Sequence, residues 1–296
     1  MPAELVRVTT EDQLWLEGAL YRPHASVPAA SPIDACLLVH GTGSNFYAPG
    51  VLEAFADQAT AVGVAALRIN TRGHDGISSI PGPKRSIRGG ATYEHVADCI
   101  FDLHAGIEFL LSQGYTRLAL VGHSMGGVKS AYTLAHRNYF AVRALVMISS
   151  PRFNHAWFMA HPTANDFRDA YQRAQIAVQE GRPNELIPMT QPMPFLATAA
   201  GILDKYGPEG HYDWTHLLPR VECPVLYILG TESPRQSIGF DGVPAVMAEL
   251  ARENINLHLS LVEDANINYT GQHLVPFERT WAWLQAGHQG PNPDDR

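Results

Sequence analysis

The run Gly122-His123-Ser124-Met125-Gly126 sets a serine between two glycines, directly after the aliphatic stretch Leu118-Ala119-Leu120-Val121 and before an amphipathic one. This is the G-x-S-x-G pattern of a nucleophile elbow, where a strand turns sharply into a helix. Glycines relieve crowding at such a bend, so the serine hydroxyl is raised above the sheet edge and the backbone N–H groups that follow face the same point. The implied chemistry is attack on an acyl carbon, with the resulting oxyanion held by amide donors. A serine hydroxyl is a weak nucleophile at neutral pH, so it also needs an imidazole, and that imidazole needs a carboxylate to orient it.

Elements able to carry such an elbow are legible around it. Residues 4–10 and 13–21 alternate apolar with polar side chains, which suits an antiparallel ribbon half open to water. The runs 35–39, 64–69, 118–121, 144–148 and 225–229 are apolar without alternation, the mark of strands buried on both faces. Helical spacing separates most of them, around 50–62, 92–113 and 126–137. Strand and helix pattern resumes at 224–230, 243–253 and 256–262, and Pro276 opens a closing helix near 276–286. Alternating β and α units imply an α/β fold with a mostly parallel sheet flanked by helices, its site at the carboxyl ends of the strands.

One interval, 151–219, breaks this alternation with eight prolines and scattered aromatics. Structureless loops of that length are rare in compact domains, so it reads as a helical lid or cap insertion over the site, between core segments 1–150 and 220–290. The stretch 291–296 reads as a frayed tail. Trp157, Phe158, Phe167, Phe195, Tyr206 and Trp214 suggest an apolar acyl or aromatic pocket, although core packing accounts for aromatics equally well.

Composition narrows the partners. The chain has 296 residues, and its net charge of −8 comes without a basic stripe, which argues against nucleic acid. Cys36, Cys99 and Cys223 are an odd number set far apart in apolar segments, so they read as reduced thiols. No secretion signal opens the sequence and no run of apolar residues is long enough to cross a membrane, so a soluble cytoplasmic protein is expected. No zinc-ligand spacing occurs, and Gly41-Thr42-Gly43 lacks the Gly-Lys of a phosphate loop, so neither metal nor cofactor is expected. Homo-oligomeric assembly is left open.

Taken together, the chain resembles the α/β-hydrolase family over nearly its full length. The resemblance rests on Leu38-Val39-His40-Gly41-Thr42-Gly43 after the third strand, Asn70-Thr71-Arg72-Gly73-His74-Asp75 after the fourth, the elbow at Ser124, and Pro224-Val225-Leu226 leading to Gly230. It implies a catalytic Ser124 and an oxyanion hole built from the N–H groups of Thr42 and Met125. Met125 also opens a helix, so its N–H lacks an intrahelical acceptor and lies at the positive end of the helix dipole. His40 reads as a core histidine, and His74 and His123 as shapers of turns rather than bases.

The resemblance fails at two positions. Where relatives carry Gly-x-x-Asp after the seventh strand, this chain reads Gly230-Thr231-Glu232-Ser233, leaving Glu232 one position early. Where they read Gly-Ala-Asp-His-x-Tyr-x-Gly, it reads Asp264-Ala265-Asn266-Ile267-Asn268-Tyr269-Thr270-Gly271, so Ile267 takes the histidine's place. Isoleucine cannot move a proton. His273 is the nearest substitute base and Glu232 the nearest acid, with Asp241 and Asp264 as other orienters and His155, His161, His211 and His216 as imidazoles from the cap.

Two functions of different class follow. The first is a serine hydrolase of a small ester, thioester or amide with a displaced or incomplete triad. The second is a non-hydrolytic member that keeps the pocket and oxyanion hole without the proton shuttle, and binds a ligand or performs lyase or cyclase chemistry on a carbonyl. A hydrolase whose base was lost at Ile267 is the third alternative.

Overall fold

Strands that are apolar on both faces are stable only when both faces are covered, and the computed structural model, which describes residues 3–23 and 31–288, covers them with helices. The main sheet has eight strands: β1 (Glu4–Thr9), β2 (Trp15–Tyr21), β3 (Ala35–Val39), β4 (Ala65–Ile69), β5 (Leu118–His123), β6 (Val142–Ile148), β7 (Val225–Gly230) and β8 (Leu257–Val262). Their spatial order is β1-β2-β4-β3-β5-β6-β7-β8. The leading ribbon is antiparallel, as is the β2–β4 pair, and every later pairing is parallel. This is the mostly parallel, helix-flanked sheet expected from the alternation of apolar runs and helical stretches, and it is the α/β-hydrolase fold that the family resemblance implies.

Helices α1 (Val51–Ala61), α2 (Cys99–Ser112) and α3 (Met125–His136) connect successive parallel strands. Between β6 and β7 lie α4 (His155–Ala160), α5 (Asn165–Gln179), α6 (Ala199–Tyr206), α7 (Trp214–Leu217) and a hairpin pairing Leu186–Met189 with Phe195–Thr198. Then come α8 (Ser233–Gln236), α9 (Val243–Glu253) and α10 (Val275–Gln285). Side chains alternate between two apolar clusters as the pleat requires. On β3, Ala35, Leu37 and Val39 enter the cluster shared with α2 and α3, while Cys36 and Leu38 enter the one under α1 and α10. Phe158, Phe167, Ile202 and Trp214 from the 151–219 interval join the first cluster, so that interval packs continuously with the sheet. The three cysteines are buried free thiols.

Two local departures from the sequence reading fall between β4 and α2. The helix expected from residue 92 begins only at Cys99, after a 3-10 turn at Val96–Asp98. Residues 90–92 are instead tied to the turn after β4, with N–H donation from Gly90 to Arg72 O at 2.8 Å, Ala91 to Asp75 O at 2.9 Å and Thr92 to Gly76 O at 3.0 Å. A short hairpin, Ser78–Ile80 with Ile87–Gly89, was likewise unmarked by any periodicity. The expected frayed tail at 291–296 lies outside the described residues.

Because β3 and β5 are neighbours, the turns that leave them meet at one edge of the sheet. Helix α3 departs so close to β3 that a Cβ on Gly126 would lie 2.0 Å from Val39 O, a backbone atom that cannot step aside. A Cβ on Gly76 would meet nothing within 4 Å. Gly126→Ala is therefore expected to cost about 3 kcal/mol or more in urea unfolding, whereas Gly76→Ala should stay within about 0.5 kcal/mol of the parent. Equal, small effects would contradict the tight β3–α3 approach.

Candidate active site

The serine of the elbow sits where β5 ends and α3 begins. Ser124 has φ 54° and ψ −123°, a conformation that L-residues avoid at a cost of about 1–3 kcal/mol. Two backbone bonds hold it: Ser124 N–H donates to Ile148 O at 2.8 Å, and Gly127 N–H donates to Ser124 O at 3.1 Å. Among the described non-glycine residues with positive φ, Asp75, Ser124, Ser149, Asp264 and Tyr269 all lie in turns that follow β4, β5, β6 or β8. Strain is thus gathered at one edge of the sheet, the edge that carries the cavity.

Opposite the serine, Gly41 approaches so closely that a Cβ there would stand 2.9 Å from Ser124 Cβ and 3.4 Å from its Oγ. Gly41 O accepts hydrogen bonds from His40 Nδ1 at 2.8 Å and from Ser44 N–H at 3.2 Å. In a planar trans peptide the N–H opposes the carbonyl, so these two bonds also fix the Thr42 N–H. The turn itself is permitted by Gly43 at φ 68°. Among the described residues, neither the Thr42 N–H nor the Met125 N–H has an acceptor. The Met125 side chain is fully buried, and its N–H lies at the positive end of α3.

Beneath this wall lies a buried polar network. His40 Nε2 accepts from Thr71 N–H at 3.0 Å, which puts the ring proton on Nδ1, the atom that grips Gly41. Burial, reinforced by the Lys129 charge, pushes the His40 imidazole down to about 3, so it is neutral. Lys129 Nζ donates to Thr71 Oγ1 at 2.9 Å and pairs with the Glu94 carboxylate, both side chains being buried. Burial alone would raise Glu94, but the Lys129 and Lys205 charges outweigh it and hold the carboxyl below its ordinary range. Desolvation in turn lowers Lys205.

The cavity above Ser124 has a volume of about 1430 Å³, larger than a single drug-sized ligand requires. Ser124, Thr42 and His273 share its wall, with Ile267 and His123 beside them. His273 is half-buried, and among the described residues no hydrogen bond joins it, or any other imidazole, to Ser124 Oγ. Glu232 lies apart from this group: both of its carboxylate oxygens accept from Arg235 Nη1 at 2.7 Å, and it does not line the cavity.

The other candidates are paired elsewhere or stand off the cavity wall. Asp241 pairs with His161 Nε2 at 3.1 Å, while His161 Nδ1 accepts from Thr163 N–H at 3.3 Å, so both ring nitrogens are engaged. Asp264 does not line the cavity, and its backbone N–H donates to Thr231 Oγ1 at 3.0 Å. His155 donates to Tyr206 O at 2.8 Å, and neither it nor His211 and His216 reaches the cavity wall. Ile267 is fastened through its backbone, its carbonyl accepting from His123 Nε2 at 2.8 Å and its N–H donating to Gln236 Oε1 at 3.0 Å. Burial lowers His123, so it donates as a neutral ring.

Of the six aromatics suggested for the pocket, Tyr206 alone lines it. Phe158, Phe167 and Trp214 are core, and Trp157 is 41% exposed. Phe153 and Phe240 supply aromatic wall in their place. Sequence reasoning missed the His161–Asp241 pairing and the presence of Arg68, Asn45 and Gln191 at the wall. Arg68 interrupts an otherwise apolar β4, a signal that was there to be read. Among the described residues, no group of three or more His, Cys, Asp or Glu is arranged to hold a metal ion, and no helix is long and apolar enough to cross a membrane.

A family model described as "Alpha/beta hydrolase family" matches residues 36–290. No curated protein matches the sequence. Among solved structures, the alpha/beta hydrolase GrgF from Penicillium sp. sh18 is similar at a TM-score of 0.69 and 13% identity, over 97% of this chain and 99% of that one. Est1E from Butyrivibrio proteoclasticus, solved with ferulic acid bound, gives 0.64 and 15% over 95% and 98%. The esterase domain of a Rhodothermus marinus protein gives 0.59 and 15% over 97% and 99%. At such identities the likeness is one of fold.

The neutral His40 makes a pH signature. The unfolded chain takes up this proton near its ordinary 6.5 and the folded chain only near about 3, so stability falls as pH drops through that window. The contribution approaches about 1.4 kcal/mol per pH unit for one site. Urea unfolding of His40→Gln is expected to lose stability less steeply than the parent between about pH 6 and pH 4. An unchanged slope would contradict the locked neutral ring.

Proposed function

The chain belongs to the alpha/beta hydrolase family, and from that premise we propose that it hydrolyses a small ester, thioester or amide through Ser124. The observation that carries this reading is a strained serine on a cavity wall, next to two amide N–H groups with no acceptor of their own. In this scheme Ser124 Oγ attacks the carbonyl carbon as His273 takes its proton, and the oxyanion is held by the Thr42 and Met125 N–H groups. Collapse expels the leaving group with the proton from His273. Water, deprotonated by the same ring, then attacks the acyl-serine; the acyl–Oγ bond breaks, the ring returns its proton to Ser124 Oγ, and the acid leaves.

His273 is chosen because it lines the cavity and, unlike His40, His123 and His161, has no ring nitrogen claimed among the described hydrogen bonds. Glu232, bound to Arg235, contributes little in this reading, so His273 works without an orienting carboxylate and turnover is slow. The esterase name of the Rhodothermus marinus structural neighbour favours an ester over an amide. We assign residues 151–219 as the cap over the acyl site, since Phe153, Tyr206 and residues 190–194 contribute to its wall. Three buried free thiols favour the cytoplasm.

A second reading has its own observation. Ile267 stands where relatives keep the base, and His123 fastens its carbonyl. A non-hydrolytic protein that polarises a carbonyl in the same hole, for ligand binding or lyase or cyclase chemistry, would need no imidazole there.

The two are separated by kinetics on short 4-nitrophenyl esters. A fluorophosphonate should label the parent and not Ser124→Ala. His273→Ala should lower kcat/KM by about 100-fold, whereas Glu232→Gln should change it by less than about threefold. Full activity in His273→Ala, or no labelling and no turnover in the parent, would overturn the hydrolase reading.

A further inference from the structure

The wall that leads away from the oxyanion turn contains a buried charge without a counter-charge. Arg68 is 3% exposed and lines the cavity beside Ala48, Pro49, Gly50, Val51 and Leu52. Its neighbour on β4, Ala66, enters the cluster under α1, so the pleat turns Arg68 toward that helix as well. One guanidinium donor, on Nη2, is used by Ala48 O. The Nε–H is buried and has no partner. Arg72, buried nearby on the same chain segment, is by contrast surrounded by the carboxylates of Asp12, Asp98 and Asp102. No ion pair is made by Arg68 among the described residues. A buried charge in that state is costly unless something pairs with it.

A second feature points to the same sign of ligand. Helix α1 begins at Val51 behind Gly50, which has φ 114° and gives no side-chain cap bond. The first N–H groups of a helix have no intrahelical acceptor and carry its positive end. Gly50, Val51 and Arg68 line one cavity with Ser124 and Thr42. Resting on the hydrolase reading above, we propose that this arm binds a free carboxylate at the far end of the acyl chain, with Arg68 as the specificity-determining residue. The substrate class is then the half-ester or half-thioester of a dicarboxylic acid. A carboxylate suits one guanidinium and one helix terminus, because its single charge balances the single unpaired arginine. The connecting loop supplies the geometry. Residues 41–49 run from the oxyanion donor Thr42 to Ala48, the acceptor of Arg68, and Asn45 and Phe46 pin that loop through Asp75 Oδ1 at 2.8 Å and Asn70 Oδ1 at 2.9 Å.

The test uses binding as well as turnover. Ser124→Ala protein is titrated by calorimetry with monomethyl glutarate and with the neutral dimethyl ester. The monoanion should bind at least about tenfold more tightly, a margin expected of a charge-assisted pair. Adding Arg68→Met should abolish the preference, and Arg68→Lys should restore part of it. In the parent enzyme, 4-nitrophenyl hemiglutarate should exceed 4-nitrophenyl pentanoate in kcat/KM by a similar factor, mainly through KM. Should neither ester turn over, the hydrolase reading fails while the calorimetry still decides the carboxylate site. Equal affinity for acid and diester in the Ser124→Ala protein overturns the proposal whether or not the arginine variants fold. It would mean that Arg68 is satisfied internally, for which the equally unpartnered Asn45 Oδ1 is at hand. A preference that survives Arg68→Met overturns it too.

Discussion

The closeness of three backbones around Ser124 is the constraint on which the site rests. A Cβ on Gly122 would lie 2.2 Å from Gly126 C, one on Gly126 2.0 Å from Val39 O, and one on Gly41 2.9 Å from Ser124 Cβ. Any side chain at these positions would push the serine and its two candidate amide donors apart. The parallel neighbours β3 and β5 supply the framework, since their turns leave the same edge of the sheet in the same direction. The strain at Ser124 is offset by the strand pairing and helix packing on either side of it.

That geometry is transmitted downward through polar groups rather than apolar ones. Gly41 O is held by His40, His40 by Thr71, Thr71 by Lys129 on α3, and Lys129 by Glu94. The chain of contacts closes a loop, because α3 is also the helix whose first N–H is the second proposed oxyanion donor. Burying three ionised groups, Glu94, Lys129 and Lys205, costs desolvation that an apolar core would avoid. What this network supplies in return is fixed orientation of the Gly41–Thr42 peptide. The same wall continues along residues 44–52 to Arg68, so the turn that carries one proposed oxyanion donor also borders the unpaired guanidinium.

The strands, the elbow and both proposed amide donors were legible because they depend on local pattern: uninterrupted apolar runs, glycines at a bend, the first residue of a helix. The late start of α2 was not, since residues 90–92 obey backbone bonds to the turn after β4 rather than their own helical spacing. Neither was the fate of the acidic candidates. Glu232 answers to Arg235 three residues on, and Asp241 to His161 in the 151–219 interval, and such pairings are decided by how loops meet in space. The aromatics of the 151–219 interval were ambiguous for the same reason, and most of them went to the core. Ile267 was recognisable as a departure from sequence alone. Its consequence, a backbone carbonyl fastened by His123, required coordinates.

The central claim is that Ser124 Oγ is free to bond an electrophile beside two waiting amide donors. Boron-11 NMR of phenylboronic acid with the protein tests it directly, because a serine adduct converts trigonal boron to tetrahedral and places an oxygen in the hole. A tetrahedral signal with the parent that vanishes in Ser124→Ala is the expected result. Boron that stays trigonal with the parent, or a tetrahedral adduct that persists without the Ser124 hydroxyl, would contradict it.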